Sequence, residues 1–123
     1  MLTNFVSIFN NIQKTRIVVV GDLMVDHFIW GKVTRISPEA PVPIVVQSRE
    51  ELMPGGAGNV VRNLSALGCP VSVVSVVGLD SHAEFLSRYF ETMGISARGL
   101  IKIDARKTAC KPRHGPSVIS TKS

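Results

Sequence analysis

The residues with the clearest potential for chemistry form a glycine-rich corner, Gly55-Gly56-Ala57-Gly58-Asn59. Successive glycines let a backbone approach a ligand closely, and the apolar stripe that follows predicts a helix with free N–H groups at its start. The Asn59 side chain can both donate and accept hydrogen bonds, which suits a sugar hydroxyl. A plain glycine-rich turn explains the corner equally well.

Two nucleotide-binding loops fit this corner less well. The spacing from Gly56 is G-x-G-x-x-V, and the loop follows residues 50–54 instead of leaving a strand directly. A dinucleotide-binding loop is therefore the weaker interpretation. A Walker A loop is excluded, because neither Gly-Lys-Ser nor Gly-Lys-Thr occurs in the sequence.

Two carboxylates, Asp22 and Asp26, follow a β-branched run at residues 16–20. That run predicts a strand buried on both faces of a parallel sheet. Ligands of open α/β sheets bind beyond the carboxyl ends of strands, so these acids lie where a site is expected. We interpret Asp26 as a ligand contact and Asp22 as a turn-forming acid that bonds its own backbone, although acids at strand ends also cap turns.

The elements that position these residues alternate between helix and strand, which predicts an α/β fold with a parallel sheet and flanking helices. An amphipathic helix opens the chain, and a further helix begins after the cap at Asp80. Between residues 25 and 46, two extended segments joined by a proline-rich corner predict a small β flap, a common form of lid. Further strands are predicted at residues 71–77 and 98–103.

The net charge of +5 is concentrated at one end of the chain. Up to Ile101 there are eight basic and eight acidic residues, whereas six basic residues and one acid follow. No aromatic residue occurs after Phe90, which argues against a nucleic-acid partner. Prolines and polar residues from Arg106 onward predict an aberrant, poorly ordered tail at 106–123.

The remaining candidate residues carry no predicted chemistry. Cys69 and Cys110 lack metal-ligand spacing and are expected to serve packing, and no metal site is predicted. The histidines have neither zinc spacing nor a nucleophile-elbow context, so no catalytic residue is assigned. Without an apolar run long enough to span a bilayer, and without a signal peptide, we expect no membrane partner and a soluble cytoplasmic protein.

From Arg16 to about Thr108 the chain resembles the first third of a PfkB (ribokinase-like) carbohydrate kinase. The family signature is matched by glycines and an asparagine at fixed distances: Gly55, Gly56, Asn59, Gly68 and Gly78. The resemblance implies a ribokinase-like parallel sheet with flanking helices. It also implies that residues 1–105 are the incomplete N-terminal portion of the kinase domain, with a lid at about 26–52.

Two runs, residues 20–26 and 35–43, are similar to those of bacterial heptose-7-phosphate kinases, including the bifunctional heptose kinase and adenylyltransferase. Such enzymes phosphorylate D-glycero-D-manno-heptose 7-phosphate at the anomeric position, for lipopolysaccharide synthesis. This resemblance implies a phosphosugar substrate and a lid that also contributes to a homodimer. The implied sugar-binding residues are Asp26, Gly55, Gly56 and Asn59, and the implied lid residues are Arg35, Ser37, Pro38 and Glu39.

The family uses ATP and Mg²⁺, and its anion hole, aspartate base and nucleotide site come from later segments. We therefore expect a frameshifted or truncated chain that binds neither cofactor well and has no kinase activity alone. Two alternatives stay open: a kinase of another small sugar in the same family, and a non-enzymatic sugar-binding or dimerisation module.

Overall fold

The computed structural model describes residues 2–36 and 43–114. Of the implied lid residues, Ser37, Pro38 and Glu39 lie outside this range, and Arg35 is described only as part of a strand. The elements in chain order are α1 Leu2–Lys14, β1 Ile17–Val20, β2 Leu23–Ile36, β3 Pro43–Gly56, α2 Ala57–Ala66, β4 Val71–Val77, α3 Ser81–Thr92, β5 Leu100–Lys102 and β6 Ala109–His114.

The chain divides into two units. Unit 1 comprises Met1–Val25 and Pro54–Ala109, and unit 2 comprises the described residues of Asp26–Met53 and Cys110–Ser123. The helices α1, α2 and α3 belong to unit 1, whereas unit 2 consists mainly of β2, β3 and β6. The assignment of residues 26–52 as a functional lid stays a prediction.

Unit 1 contains a three-stranded parallel sheet in the order β1-β4-β5. Its central strand β4 is the predicted valine-rich segment, and β1 pairs with it from Ile17 opposite Val71 to Val20 opposite Val74. One face of this sheet contributes to the core, where apolar side chains of β4, α2 and α3 are less than 2% exposed. These side chains are Val73, Val77, Val61, Leu86 and Phe90.

The other face of the sheet differs from the prediction. β1 was expected to be buried on both faces, but Val18 is 59% exposed and Val20 is 75% exposed, so that prediction is wrong. Successive side chains of a strand point to opposite faces, and only the face with Ile17 and Val19 adjoins the core. Ile101 of β5 is likewise exposed. A fully apolar strand sequence therefore shows that both faces of the strand could be buried. It does not show whether another element packs against each face.

Unit 2 contains a second three-stranded sheet in the order β3-β2-β6. The predicted extended segments are confirmed as parts of β2 and β3. Within the segment expected to be poorly ordered, residues 109–114 form β6, and residues 115–123 lie outside the described range. β6 is an edge strand, and an edge has a side that makes no ladder bonds, so Pro112 is tolerated there.

Helix α1 has the amphipathic pattern that the sequence predicts, yet its apolar side chains Phe5, Val6, Ile8 and Phe9 are exposed. In the part of the chain that the structure describes, no helix is long and apolar enough to cross a membrane.

Candidate functional site

The glycine corner joins the end of β3 to the start of α2 in unit 1, so the prediction that it does not leave a strand directly is wrong. Gly56 has a φ of 57°, and a Cβ placed there would lie 2.6 Å from the backbone oxygen of Asp22. The same oxygen accepts a hydrogen bond of 2.9 Å from the Ala57 N–H. Because both the backbone angle and the close approach exclude a side chain, this position requires glycine.

The other residues of the corner divide between packing and exposure. A Cβ at Gly58 would lie 2.7 Å from Cβ of Pro54, so this glycine allows α2 to pack closely. Gly55 is buried, whereas Gly56 and Asn59 are exposed. The corner therefore presents to solvent the backbone at Gly56 and the amide of Asn59, in the first turn of α2.

The turn after β1 is held by β4 through backbone and hydroxyl contacts. The Leu23 N–H donates a buried hydrogen bond of 3.1 Å to Oγ of Ser75. The Asp22 carboxylate, predicted to bond its own backbone, instead lies 3.5 Å from a terminal nitrogen of Arg106 and is 82% exposed. An exposed pair at this distance is weak, which leaves the Asp22 carboxylate accessible beside the corner.

A second polar cluster lies at the carboxyl end of β4. Asp80 caps α3 by accepting the Ala83 N–H at 2.9 Å, and its other oxygen accepts the Thr108 N–H at 2.7 Å. The Thr108 hydroxyl in turn accepts the Gly78 N–H at 2.9 Å. Burial raises the pKa of Asp80, but hydrogen bonds from the Thr108 and Ala83 backbone outweigh it and hold the pKa below its usual value.

The sequence predicts the cap at Asp80, and the structure confirms it. Sequence reasoning missed the contact with Thr108, which lies 28 residues away. The nearest signal is Gly78, where a Cβ would lie 2.2 Å from the backbone oxygen of Arg106. That glycine marks the place where the segment leading to β6 crosses close to the end of β4.

Asp26, the predicted sugar ligand, belongs to unit 2. Its carboxylate is 14% exposed and accepts a hydrogen bond of 2.9 Å from Nε of Arg113 in β6. Gly55, Gly56 and Asn59 belong to unit 1. That Asp26 and the glycine corner meet in one pocket therefore stays a prediction.

The side chains beside Asp26 on β2 include two stacked aromatic rings. The Phe28 and Trp30 ring centroids are 5.6 Å apart with an interplanar angle of 19°. The Arg49 guanidinium lies 4.4 Å from the Trp30 ring centroid. His27, which alternates with these residues, pairs with Glu50 at 2.8 Å. The two faces of the β2–β3 pair thus carry different chemistry.

The two cysteines have different environments. Cys69 is buried, as a packing role predicts, whereas Cys110 in the edge strand β6 is exposed, so the packing prediction is wrong for this thiol.

The family model described as pfkB family carbohydrate kinase matches residues 14–113. The chain belongs to this family. It is 50% identical over 107 residues to the bifunctional protein HldE of Citrifermentans bemidjiense. That alignment covers 87% of this chain and 22% of the relative, so the chain spans less than a quarter of the relative's length.

Solved structures share the fold of this chain. A carbohydrate kinase from Agrobacterium tumefaciens superposes with a TM-score of 0.63 at 25% identity, covering 81% of this chain and 31% of that one. A ribokinase from Cryptococcus neoformans, solved in complex with ADP, has a TM-score of 0.56 at 17% identity and covers 81% and 30%. The predicted ribokinase-like α/β fold is therefore confirmed, as a partial domain.

Proposed function

We propose that this chain is the sugar-binding portion of an ATP-dependent kinase that phosphorylates D-glycero-D-manno-heptose 7-phosphate at its anomeric position, in the cytoplasm. Membership of the pfkB family supports a sugar kinase. The heptose is supported by the resemblance of residues 20–26 and 35–43 to heptose-7-phosphate kinases and by the 50% identity to an HldE protein. In this role the chain serves lipopolysaccharide heptose synthesis.

The observation that carries the proposal is the conformation of the glycine corner. Only glycine fits at position 56, and the exposed amide of Asn59 follows one turn into the helix. The absence of a side chain at Gly56 lets a polyol approach the exposed backbone before α2, while Asn59 donates to one hydroxyl and accepts from another. Asp26 is proposed to accept hydrogen bonds from further hydroxyls.

The proposed contribution of this chain is to position the sugar. Phosphoryl transfer also requires electrostatic stabilisation of the transferred group and a base for the attacking hydroxyl. The family resemblance assigns these tasks, and the binding of ATP with Mg²⁺, to a Gly-Ala-Gly-Asp segment and later residues, and that segment does not occur in these 123 residues. We therefore expect no kinase activity from this polypeptide alone.

The same resemblance supports a lid around residues 35–43 that excludes water from the phosphoryl donor and contributes to a homodimer. Arg35, Ser37, Pro38 and Glu39 are its proposed members.

A chimera tests the proposed function. Residues 14–113 replace the matching segment of the complete Citrifermentans bemidjiense HldE, and ATP-dependent phosphorylation is measured with heptose 7-phosphate, ribose and fructose. We expect activity that is highest with heptose 7-phosphate. A folded chimera that prefers another sugar would favour the alternative substrate, and one without kinase activity would contradict the proposal.

Asn59 supplies the matched control within the chimera. Asn59→Ala removes a hydrogen-bonding amide from the proposed site and is expected to raise KM about tenfold. Asn63→Ala changes an exposed asparagine one turn further along α2 and is expected to leave KM unchanged. Equal effects of the two substitutions would count against a sugar contact at position 59.

A further inference from the structure

The contact between Asp26 and Arg113 uses only part of each group. Nε of Arg113 donates to one carboxylate oxygen of Asp26 at 2.9 Å. A guanidinium has five N–H donors, and a fully matched arginine–carboxylate pair uses two of them side by side. Among residues 2–36 and 43–114, Asp26 is the hydrogen-bond partner of the Arg113 side chain, which is 45% exposed. Since no residue in these two ranges bonds its terminal amino groups, they can donate to a ligand.

Basic residues of the two edge strands flank the centre of the unit 2 sheet. Arg49 of β3 covers the Trp30 ring on one side, and Arg113 of β6 reaches Asp26 on the other. Lys111 alternates with Arg113 along β6 and is also exposed, so both cations share one side of that strand. Asp26 pairs with Arg113 and Glu51 pairs with Arg49. The cations Arg49, Lys111 and Arg113 therefore outnumber these two acids.

Asp26, Phe28 and Trp30 lie at alternate positions of the central strand and therefore point to one face. Binding sites for small polar molecules combine apolar or aromatic walls with a few placed polar groups. The stacked rings supply such a wall, and the second carboxylate oxygen of Asp26, which bonds no residue in the described ranges, can accept from a hydroxyl. The Arg113 guanidinium, which contacts Asp26, matches the planar, bidentate geometry that phosphate oxygens prefer.

We propose that Arg113 is a specificity-determining residue that selects phosphorylated over unphosphorylated sugars. One edge of its guanidinium orients Asp26 toward the hydroxyls, and its terminal amino groups bind the phosphate that the substrate already carries. This inference rests on the proposed function, because it assumes that Asp26 contacts the sugar. A purely structural Arg113 would affect both forms of the sugar equally, through Asp26.

Titration of the 123-residue chain tests the inference. Trp30 is the only tryptophan, and it lies on the same face as Asp26, so its fluorescence reports binding there. The probes are heptose 7-phosphate, the same heptose without its phosphate, and inorganic phosphate, each titrated into the millimolar range. Arg113→Met is expected to weaken heptose 7-phosphate binding about tenfold or more, since charged hydrogen bonds are lost. Binding of the unphosphorylated heptose is expected to change less than about threefold.

Two further variants keep the result interpretable. Arg113→Lys retains the positive charge but lacks the two parallel N–H donors of a guanidinium. It is expected to restore part of the preference for the phosphorylated sugar. Arg98→Met removes an exposed arginine of unit 1 and is expected to change nothing. Unchanged circular dichroism and Trp30 emission without ligand show that each variant folds.

The inference is overturned if Arg113→Met weakens both sugars equally, if it weakens neither, or if the unmodified chain shows no preference for the phosphorylated sugar. Phosphate-dependent binding through Arg113 together with an inactive chimera would contradict the proposed kinase function alone. An active chimera with equal losses for both sugars would contradict this inference alone.

Discussion

The glycine corner of unit 1 and the unit 2 face that carries Phe28 and Trp30 are held by different kinds of contact. At the corner, backbone atoms make the decisive contacts. The backbone oxygen of Asp22 accepts the Ala57 N–H and lies too close to Gly56 for a side chain there. On the unit 2 face, side chains from three strands meet, as Asp26 and Arg113 do. Substitutions at the glycine corner should therefore cause steric clashes and lower the free energy of unfolding. Substitutions on the unit 2 face should change ligand binding but leave the fold intact.

The largest effect is expected from Gly56→Ala. A Cβ at this position meets the Asp22 oxygen at 2.6 Å and requires a φ that alanine rarely adopts. We expect a loss of about 3 kcal/mol in the free energy of unfolding. Urea denaturation followed by helical circular dichroism measures it, because α1, α2 and α3 all lie in unit 1.

Gly94→Ala is the matched control for the Gly56 substitution. Gly94 also has a positive φ, 77°, but a Cβ there would have no atom within 4 Å. The expected cost is therefore backbone strain alone, about 1 kcal/mol. If the two substitutions cost the same, the contact with Asp22 contributes nothing and the corner is not sterically defined.

A smaller effect is expected at Asp80. An asparagine at this position would still cap α3, but its amide would face the Thr108 N–H, so Asp80→Asn isolates the second hydrogen bond. We expect a loss of about 1–2 kcal/mol at neutral pH. Chemical denaturation of both proteins at pH 7 measures the difference.

The same substitution predicts a pH dependence. The pKa of Asp80 is lower in the folded chain, so its stabilising contribution is complete above the ordinary aspartate pKa of about 3.9. The contribution is lost as the pH falls through the lower, folded value. Asp80→Asn should flatten this part of the stability profile, and Asp104→Asn, at an exposed site, should not. Identical profiles for the unmodified chain and Asp80→Asn would disprove the assignment.

The smallest effect on stability is expected on the unit 2 face. Arg49→Ala removes the cation from the Trp30 ring and should cost only about 0.5–1 kcal/mol, with a clear change in Trp30 emission. Glu51→Gln removes the exposed ion pair with Arg49 but leaves the ring contact, so stability and emission should barely change. A loss at Arg49 as large as that at Gly56 would erase the contrast between the two regions.

Local features of the chain were predicted well from sequence. The helices α2 and α3, the strand β4 and the corner at Gly56 follow from apolar periodicity and from glycines at helix boundaries. Such signals act over a few residues. The prediction for β1 was wrong because the burial of a strand face depends on which elements lie against it.

The β6 segment shows a second limit of prediction from sequence. Pro112 counts against a strand in a sheet interior, and only the sheet order shows that this strand lies at an edge. Without that order, a short polar run with a proline has no distinctive period and resembles a disordered tail.

The amino-acid sequence determined the helices α2 and α3, the strand β4, the family signature and the glycine corner, because periodicity and backbone angles are properties of neighbouring residues. The tertiary structure decided the partners of Asp80 and Asp26, which lie 28 and 87 residues away in the chain. It also decided which face of β1 is buried. Contacts of this kind depend on strand order and register, which arise only when distant segments pack together.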